Sequence, residues 1–119
     1  MKPWNFESLE IRKLAIELTK KLAYIFYSKN FKNYSFQDQI MRASISISNN
    51  IAEWNERWYN QEFIKYLSIA KWSCWEIRNM VILAKEFAYI NEVQAKEFIN
   101  KSITLSVKIY NLIQYLKKK

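Results

Sequence analysis

Apolar residues return along most of this chain at steps of three and four, the period of a helix with one buried face. In the first such segment Ile11, Leu14, Ala15, Leu18, Leu22 and Ile25 share a face, which predicts a helix over roughly 7–28, ended by the polar stretch KNFKNY. A second stripe, Phe36, Ile40, Ala43, Ile47 and Ile51, predicts a helix over roughly 36–57. Ser35 is its expected N-cap, with Asp38 reaching back at the capping-box spacing. This segment contains SISISNN, a β-branched run rich in Ser and Asn that local propensity assigns to strand or loop. The helical stripe continues on both sides of it, so a helix is expected throughout.

The third segment carries the most regular seam: Phe63, Leu67, Ala70, Cys74, Ile77, Val81 and Ala84. It predicts a helix over roughly 61–87, with Asn60 as cap and Glu62 in the first turn, where the helix dipole favours an acid. The fourth helix, roughly 92–117, begins at an Asn91 and Gln94 capping pair and repeats the spacing through Phe98, Ser102, Leu105, Ile109, Leu112 and Leu116. Alternating steps of four and three suit shallow-angle packing between helices. The expected fold is therefore all-α: one domain over residues 1–119, an antiparallel up-down-up-down four-helix bundle.

Composition removes most chemistry. The chain has no His, which takes away the commonest general base and the commonest transition-metal ligand. Cys74 is the only cysteine, so neither an intrachain disulfide nor a cysteine metal cage can form. It lies on the third seam and reads as a small core residue. Ser44, Ser46, Ser48 and Ser73 have no base to activate them, and no Gly-rich loop is present to hold phosphate. Glu53 and Glu56 lie one turn apart, but a di-metal bundle site also wants histidines. No enzyme activity, cofactor or metal is expected. The start, MKPWNFESLE, has no apolar signal-peptide core, and runs such as MVILA are too short to span a bilayer. A cytoplasmic protein with no membrane partner is the expectation.

Charge points to a ligand class. Lys and Arg number 19 against 11 Asp and Glu, a formal net charge of +8, which favours anionic partners. The cations are also ordered. Lys71, Arg78 and Lys85 recur every seven residues on one flank of the third helix, Lys101 and Lys108 on the fourth, and Lys13 and Lys20 on the first. Such rows can follow a phosphate backbone, and Lys117 to Lys119 add a basic tail. The expected function is a non-catalytic, basic protein that binds structured RNA or DNA. The alternative is a structural or protein-interaction module whose nucleic-acid affinity is incidental. A second face of the third helix, Ile64, Ser68, Trp72, Trp75 and Asn79, points away from its seam and is the expected interface for another copy or partner.

The stretch RASISISNNIAEW, followed by Arg57, Glu62 and Phe63 and then AKWSCWE, resembles the four-helix-bundle proteins of the 23S rRNA intervening-sequence family. The residues that carry the likeness are Arg42, Ala43, Ile45, Asn50, Ile51, Ala52, Glu53, Arg57, Glu62, Phe63, Ala70, Ser73 and Glu76. Early in the chain FESLEIRKLAIEL is similar to the family's opening helix, with Arg12 where Trp is usual. Distant relatives include the accessory variability proteins of diversity-generating retroelements. The resemblance implies a homo-oligomer, with a pentameric ring known among relatives, and it makes a ribonucleoprotein or reverse transcriptase a candidate protein partner.

Where that family carries Gly, this chain has Trp54, Trp58, Trp72 and Trp75, and Trp4 stands where Gly would be unremarkable. Trp54 and Trp58 are expected to flank the turn between the second and third helices, where Gly could take positive φ. The chain has five Trp and no Gly, whereas average usage gives roughly eight Gly in this length. Some bacterial lineages read UGA as Gly, and decoding it as Trp would produce this pattern. The five tryptophans are thus expected to be glycines of the natural protein. Sequencing the source gene decides this: TGA is expected at the five positions, and TGG there ends the idea.

Overall fold

The computed structural model of the protein describes residues 6–56 and 63–118. Four α-helices account for nearly all of them: α1 (Phe6–Phe26), α2 (Tyr34–Glu56), α3 (Phe63–Glu86) and α4 (Glu92–Lys117). Among the described residues α1 and α3 each pack on α2 and α4, and diagonal helices do not meet. The result is an elongated bundle of 47 × 21 × 19 Å. Neighbours run antiparallel. Glu10, Glu17 and Lys21 of α1 meet Lys108, Lys101 and Glu97 of α4, one chain rising as the other falls. Thr19 meets Ser44, and Gln37 donates to the Phe26 carbonyl, which runs α2 back along α1. Ser73 with Ser46, and Phe87 with Phe36, do the same for α3 on α2.

The seam of α3 from Leu67 through Ala70, Cys74, Ile77 and Val81 to Ala84 is fully buried. The expected stripes of the other helices are also buried, except Leu14, Ile25, Ala43 and Leu116, which pack on the core from its edge. SISISNN lies wholly inside α2, so burial of Ile47 and Ile51 overrides local strand propensity. The Phe63 side chain, Asn60 and Glu62 lie outside the described residues.

One local expectation is corrected. The cap of α2 is Asn33 rather than Ser35: the Asn33 carboxamide oxygen accepts from the Phe36 N–H at 3.0 Å, and Tyr34 is already helical. Asp38 turns away to Arg42 at 2.9 Å instead of reaching back. Trp54, expected to flank the turn after α2, is helical two residues before the end of α2 and fully buried, and among the described residues its indole N–H has no acceptor. An orphaned buried donor costs about 1–3 kcal/mol, so the indole fills core volume at a polar cost. Trp4 and Trp58 lie outside the described residues. At α4 the capping box is as expected, with Asn91 and Gln94 bonding each other's backbone N–H at 2.8 Å.

The turn from α3 to α4 does need a left-handed residue, and Ala88 supplies it with φ 62°. Tyr89 N–H bonds to the Ala84 carbonyl at 2.8 Å and Ala88 N–H to Lys85 at 3.0 Å, the two bonds of a Schellman cap. Alanine pays about 1 kcal/mol there for its Cβ. Ala88 is exposed, so Ala88→Gly loses no packing. It is expected to stabilise the protein by about 1 kcal/mol, raising the melting temperature by ~4 °C. Ala84→Gly, within the helix, is the control and should destabilise. Thermal unfolding of both variants checks the assignment, which fails if Ala88→Gly also lowers the midpoint.

Candidate nucleic-acid interface

The seven ordered cations divide into two groups. Lys101 and Lys108 face α1, where Lys101 pairs with Glu17 and Lys108 with Glu10, each at 3.0 Å. Lys21 pairs with Glu97 at 2.8 Å beside them. These two lysines of the expected interface are therefore committed to holding α4 against α1. Their partners are more than 80 residues away in sequence, as the Lys101–Glu17 separation of 84 illustrates. The remaining five, Lys13, Lys20, Lys71, Arg78 and Lys85, have no ion pair among the described residues. Glu10 and Glu17 pair with α4, while Lys13 and Lys20 of α1 are exposed.

On α3 the cations follow the flank that borders α4. Lys71 places its ammonium 5.8 Å from the centroid of the Tyr110 ring, a cation–π contact that leaves its charge uncompensated. Arg78 is half-buried, and among the described residues its Nε has no acceptor. Lys85 is exposed. With a rise of about 1.5 Å per residue, successive members stand roughly 10 Å apart along the helix.

The expected outer face of α3 adjoins this row. Ser68 and Asn79 are exposed, and Trp72 and Trp75 are 61% and 50% exposed with rings stacked 4.9 Å apart. Ile64 departs from the expectation: it is half-buried and packs on the core. Ser68, Lys71, Trp72, Trp75 and Arg78 line a shallow cavity of about 360 Å³. Cation row and aromatic patch are thus one surface, of the kind that tracks phosphates while offering rings to bases.

The residues that carry the family likeness fall into two roles. Asn50 donates to the Ser46 carbonyl at 2.8 Å and to its hydroxyl at 3.1 Å, and Ser73 donates to that same hydroxyl at 3.0 Å. They form a polar bridge between α2 and α3. Arg42, Glu53 and Glu76 are exposed instead, Arg42 being held by Asp38. Arg57 and Glu62 lie outside the described residues, as does the side chain of Phe63. A second cavity, at the end of the bundle around Tyr24, Phe31 and Tyr89, escaped the sequence reading because its walls come from α1 and two separate loops.

The family model for 23S rRNA-intervening sequence protein matches residues 7–111. The chain belongs to that family. Among solved structures, a family likeness of fold is clear in the crystal structure of a protein of unknown function from the S23 ribosomal protein family of Bacteroides thetaiotaomicron VPI-5482. That protein is 19% identical, with a TM-score of 0.83 over 92% of this chain and 99% of the other. No curated protein matches the chain. Burial pushes the Cys74 thiol up to about 12, so it stays protonated at neutral pH. Among the described residues no cluster of three or more His, Cys, Asp or Glu could hold a metal, and no helix is long and apolar enough to cross a membrane.

The ladder between α1 and α4 gives the protein a pH signature. Hydrogen bonds from Lys101 and Lys21, reinforced by their charge, hold Glu17 and Glu97 below the ordinary carboxylate value of 4.5. Glu97 in turn raises Lys21 above 10.5. The carboxylates contribute stability that is present above 4.5 and lost as pH falls through their lowered values. The Lys21 contribution is present below 10.5 and lost as pH rises through its raised value. The unfolding midpoint should therefore sag at both extremes, and Glu17→Gln with Glu97→Gln should flatten the acid limb. A double variant with an unchanged acid limb would remove these pairs from the account. Screening by salt should weaken the same ladder.

Proposed function

We propose that this protein is a non-catalytic binding protein whose basic faces engage the phosphates of structured RNA or DNA. The observation that carries the reading is the fate of the charges: the carboxylates of α1 are spent on Lys101 and Lys108, while Lys71, Arg78 and Lys85 stay unpaired along α3. Unpaired cations in a row, on a chain of net charge +8, favour a polyanion as the ligand. The family's name, which refers to an intervening sequence of 23S rRNA, makes structured RNA the first ligand to try. In this reading the protein works in the reducing cytoplasm as a homo-oligomer, a ring of five being known among relatives of the family it resembles. The same resemblance makes a reverse transcriptase the first protein partner to try.

One observation favours a second reading, a protein-interaction module with incidental nucleic-acid affinity. Ile82 on α3 and Ile103 and Val107 on α4 are 50%, 40% and 51% exposed, apolar side chains that a partner could cover. Charge reversal separates the two. Lys71→Glu, Arg78→Glu and Lys85→Glu together are expected to weaken binding across RNA and DNA sequences and to lower the salt dependence of log K by about one per lost contact, or somewhat less. Equal retention of wild type and triple variant on a mixed panel at low salt would overturn the α3 assignment and leave the second reading.

A further inference from the structure

At the end of the bundle where α1 and α3 finish, a cavity of about 540 Å³ opens between Tyr24, Ile25, Ser28, Asn30, Phe31 and Tyr89. Its walls are aromatic and held in place. Phe31 stands edge-on to Phe26 at 5.0 Å and to Tyr89 at 4.9 Å. Tyr89 also packs on Phe36 at 5.2 Å, and its hydroxyl accepts from the Asn33 carboxamide at 2.9 Å. Asn33 is the cap of α2, so one side chain ties the helix start to the far loop. Tyr89 follows the left-handed Ala88, a conformation that costs energy and fixes where the ring goes.

The open side of the cavity is different. Tyr24 is 87% exposed, and nothing in the core requires its ring. Asn30 is exposed; its backbone N–H donates to the Ser28 hydroxyl at 3.1 Å, while its carboxamide has no hydrogen bond among the described residues. No carboxylate lines the cavity. Lys29 and Lys32 bracket Asn30 and Phe31 in the loop, both exposed and neither ion-paired among the described residues. A free aromatic face, an amide with both donor and acceptor, and two unpaired cations complement a flat heteroaromatic ring attached to phosphates. An apolar side chain would use the rings and waste the lysines and the amide; a duplex would offer phosphates but no base face.

We infer that this end of the bundle takes an unpaired nucleobase of an RNA or DNA strand, stacked on Tyr24, with Asn30 at its edge and the flanking phosphates on Lys29 and Lys32. The inference rests on the nucleic-acid reading above and adds to it a preference for loops, bulges or single strands.

Fluorescence anisotropy on the full chain tests it, using a labelled oligoadenylate strand of about 12 nucleotides and a blunt duplex of the same length. Tyr24→Ala, which removes an exposed ring and so leaves the fold intact, is expected to weaken single-strand binding about tenfold, with duplex binding unchanged. Tyr24→Phe should keep wild-type affinity. Lys29→Ala with Lys32→Ala should lower the salt slope for the single strand. If Tyr24→Ala binds the strand as wild type does, while the α3 charge reversal weakens both probes, the base site is overturned and the α3 interface stands. Equal losses on strand and duplex would also overturn it. If wild type binds neither probe at low salt, both readings fall. A Tyr24→Ala chain that changes oligomeric state by light scattering without losing strand affinity would make this end a contact between copies, and the base site wrong.

Discussion

The bundle depends on how closely α3 can be approached from two sides. Its buried seam mixes large and small residues: Leu67, Ala70, Cys74, Ile77, Val81, Ala84. Small residues let a neighbouring backbone come near, and the partners answer in kind. Ser46 and Asn50 line the α2 side, and Ala95, Ser102 and Ser106 are buried on α4. Hydroxyls buried in such a seam need acceptors, and Ser73 with Ser46 and Ser102 with the Ile99 carbonyl provide them. Satisfied polar pairs of this kind help to fix register, because sliding by one residue would strand a hydroxyl in the core. The most extensive helix packing in the molecule is accordingly that of α3 against α2 and α4.

With α2, α3 and α4 joined by steric fit, α1 completes the square by other means. It contributes Ile11, Ala15, Leu18, Leu22 and Phe26 to the core, and it meets α4 through ion pairs at its edge. Pairs at this degree of exposure are each worth about 0–1 kcal/mol, so they hold orientation more than stability. Their larger consequence is for the surface. Each pair neutralises one carboxylate with one lysine, so the net charge of +8 is carried by the residues outside this ladder.

Much of this was legible in the chain because it repeats locally. The seams of α3 and α4 follow from apolar spacing alone, and the Asn91 cap from residues three apart. What escaped depends on residues brought together from far apart. Asn33 and Ser35 are both competent caps by type; Asn33 wins with its carboxamide also donating to Tyr89, 56 residues on. Lys101 and Lys108 looked like members of a binding row because their spacing matches it. Glu10 and Glu17 share that spacing of seven, and the match between the two rows was the available signal that they would pair. Ile64, placed outside by a uniform helical wheel, packs on the core at the seam's edge. The cavity at the bundle end could not be read at all, since Tyr24, Phe31 and Tyr89 show no common pattern in sequence.

The functional reading does not lean equally on every residue. The aromatic patch on α3 is made by Trp72 and Trp75, and if UGA is read as Gly in the source organism that patch becomes a shallow groove. The cation row beside it would remain, because Lys71, Arg78 and Lys85 sit on the flank toward α4 and owe their placement to the seam. Two glycines on the outer face would cost the helix about 1 kcal/mol each relative to Ala. Closer approach of another copy's helix is the compensation such a groove offers, so the change would shift α3 toward assembly without removing its charge. The bundle end is indifferent to the question. None of its lining residues is a tryptophan, and its frame is set by Asn33, Phe36 and Ala88. A ring of copies joined through α3 and α4 could cover the first surface while leaving Tyr24, on α1, exposed at the periphery. Under either reading of the five codons, the outer face of α1 and the loop beyond it stay basic, aromatic and open.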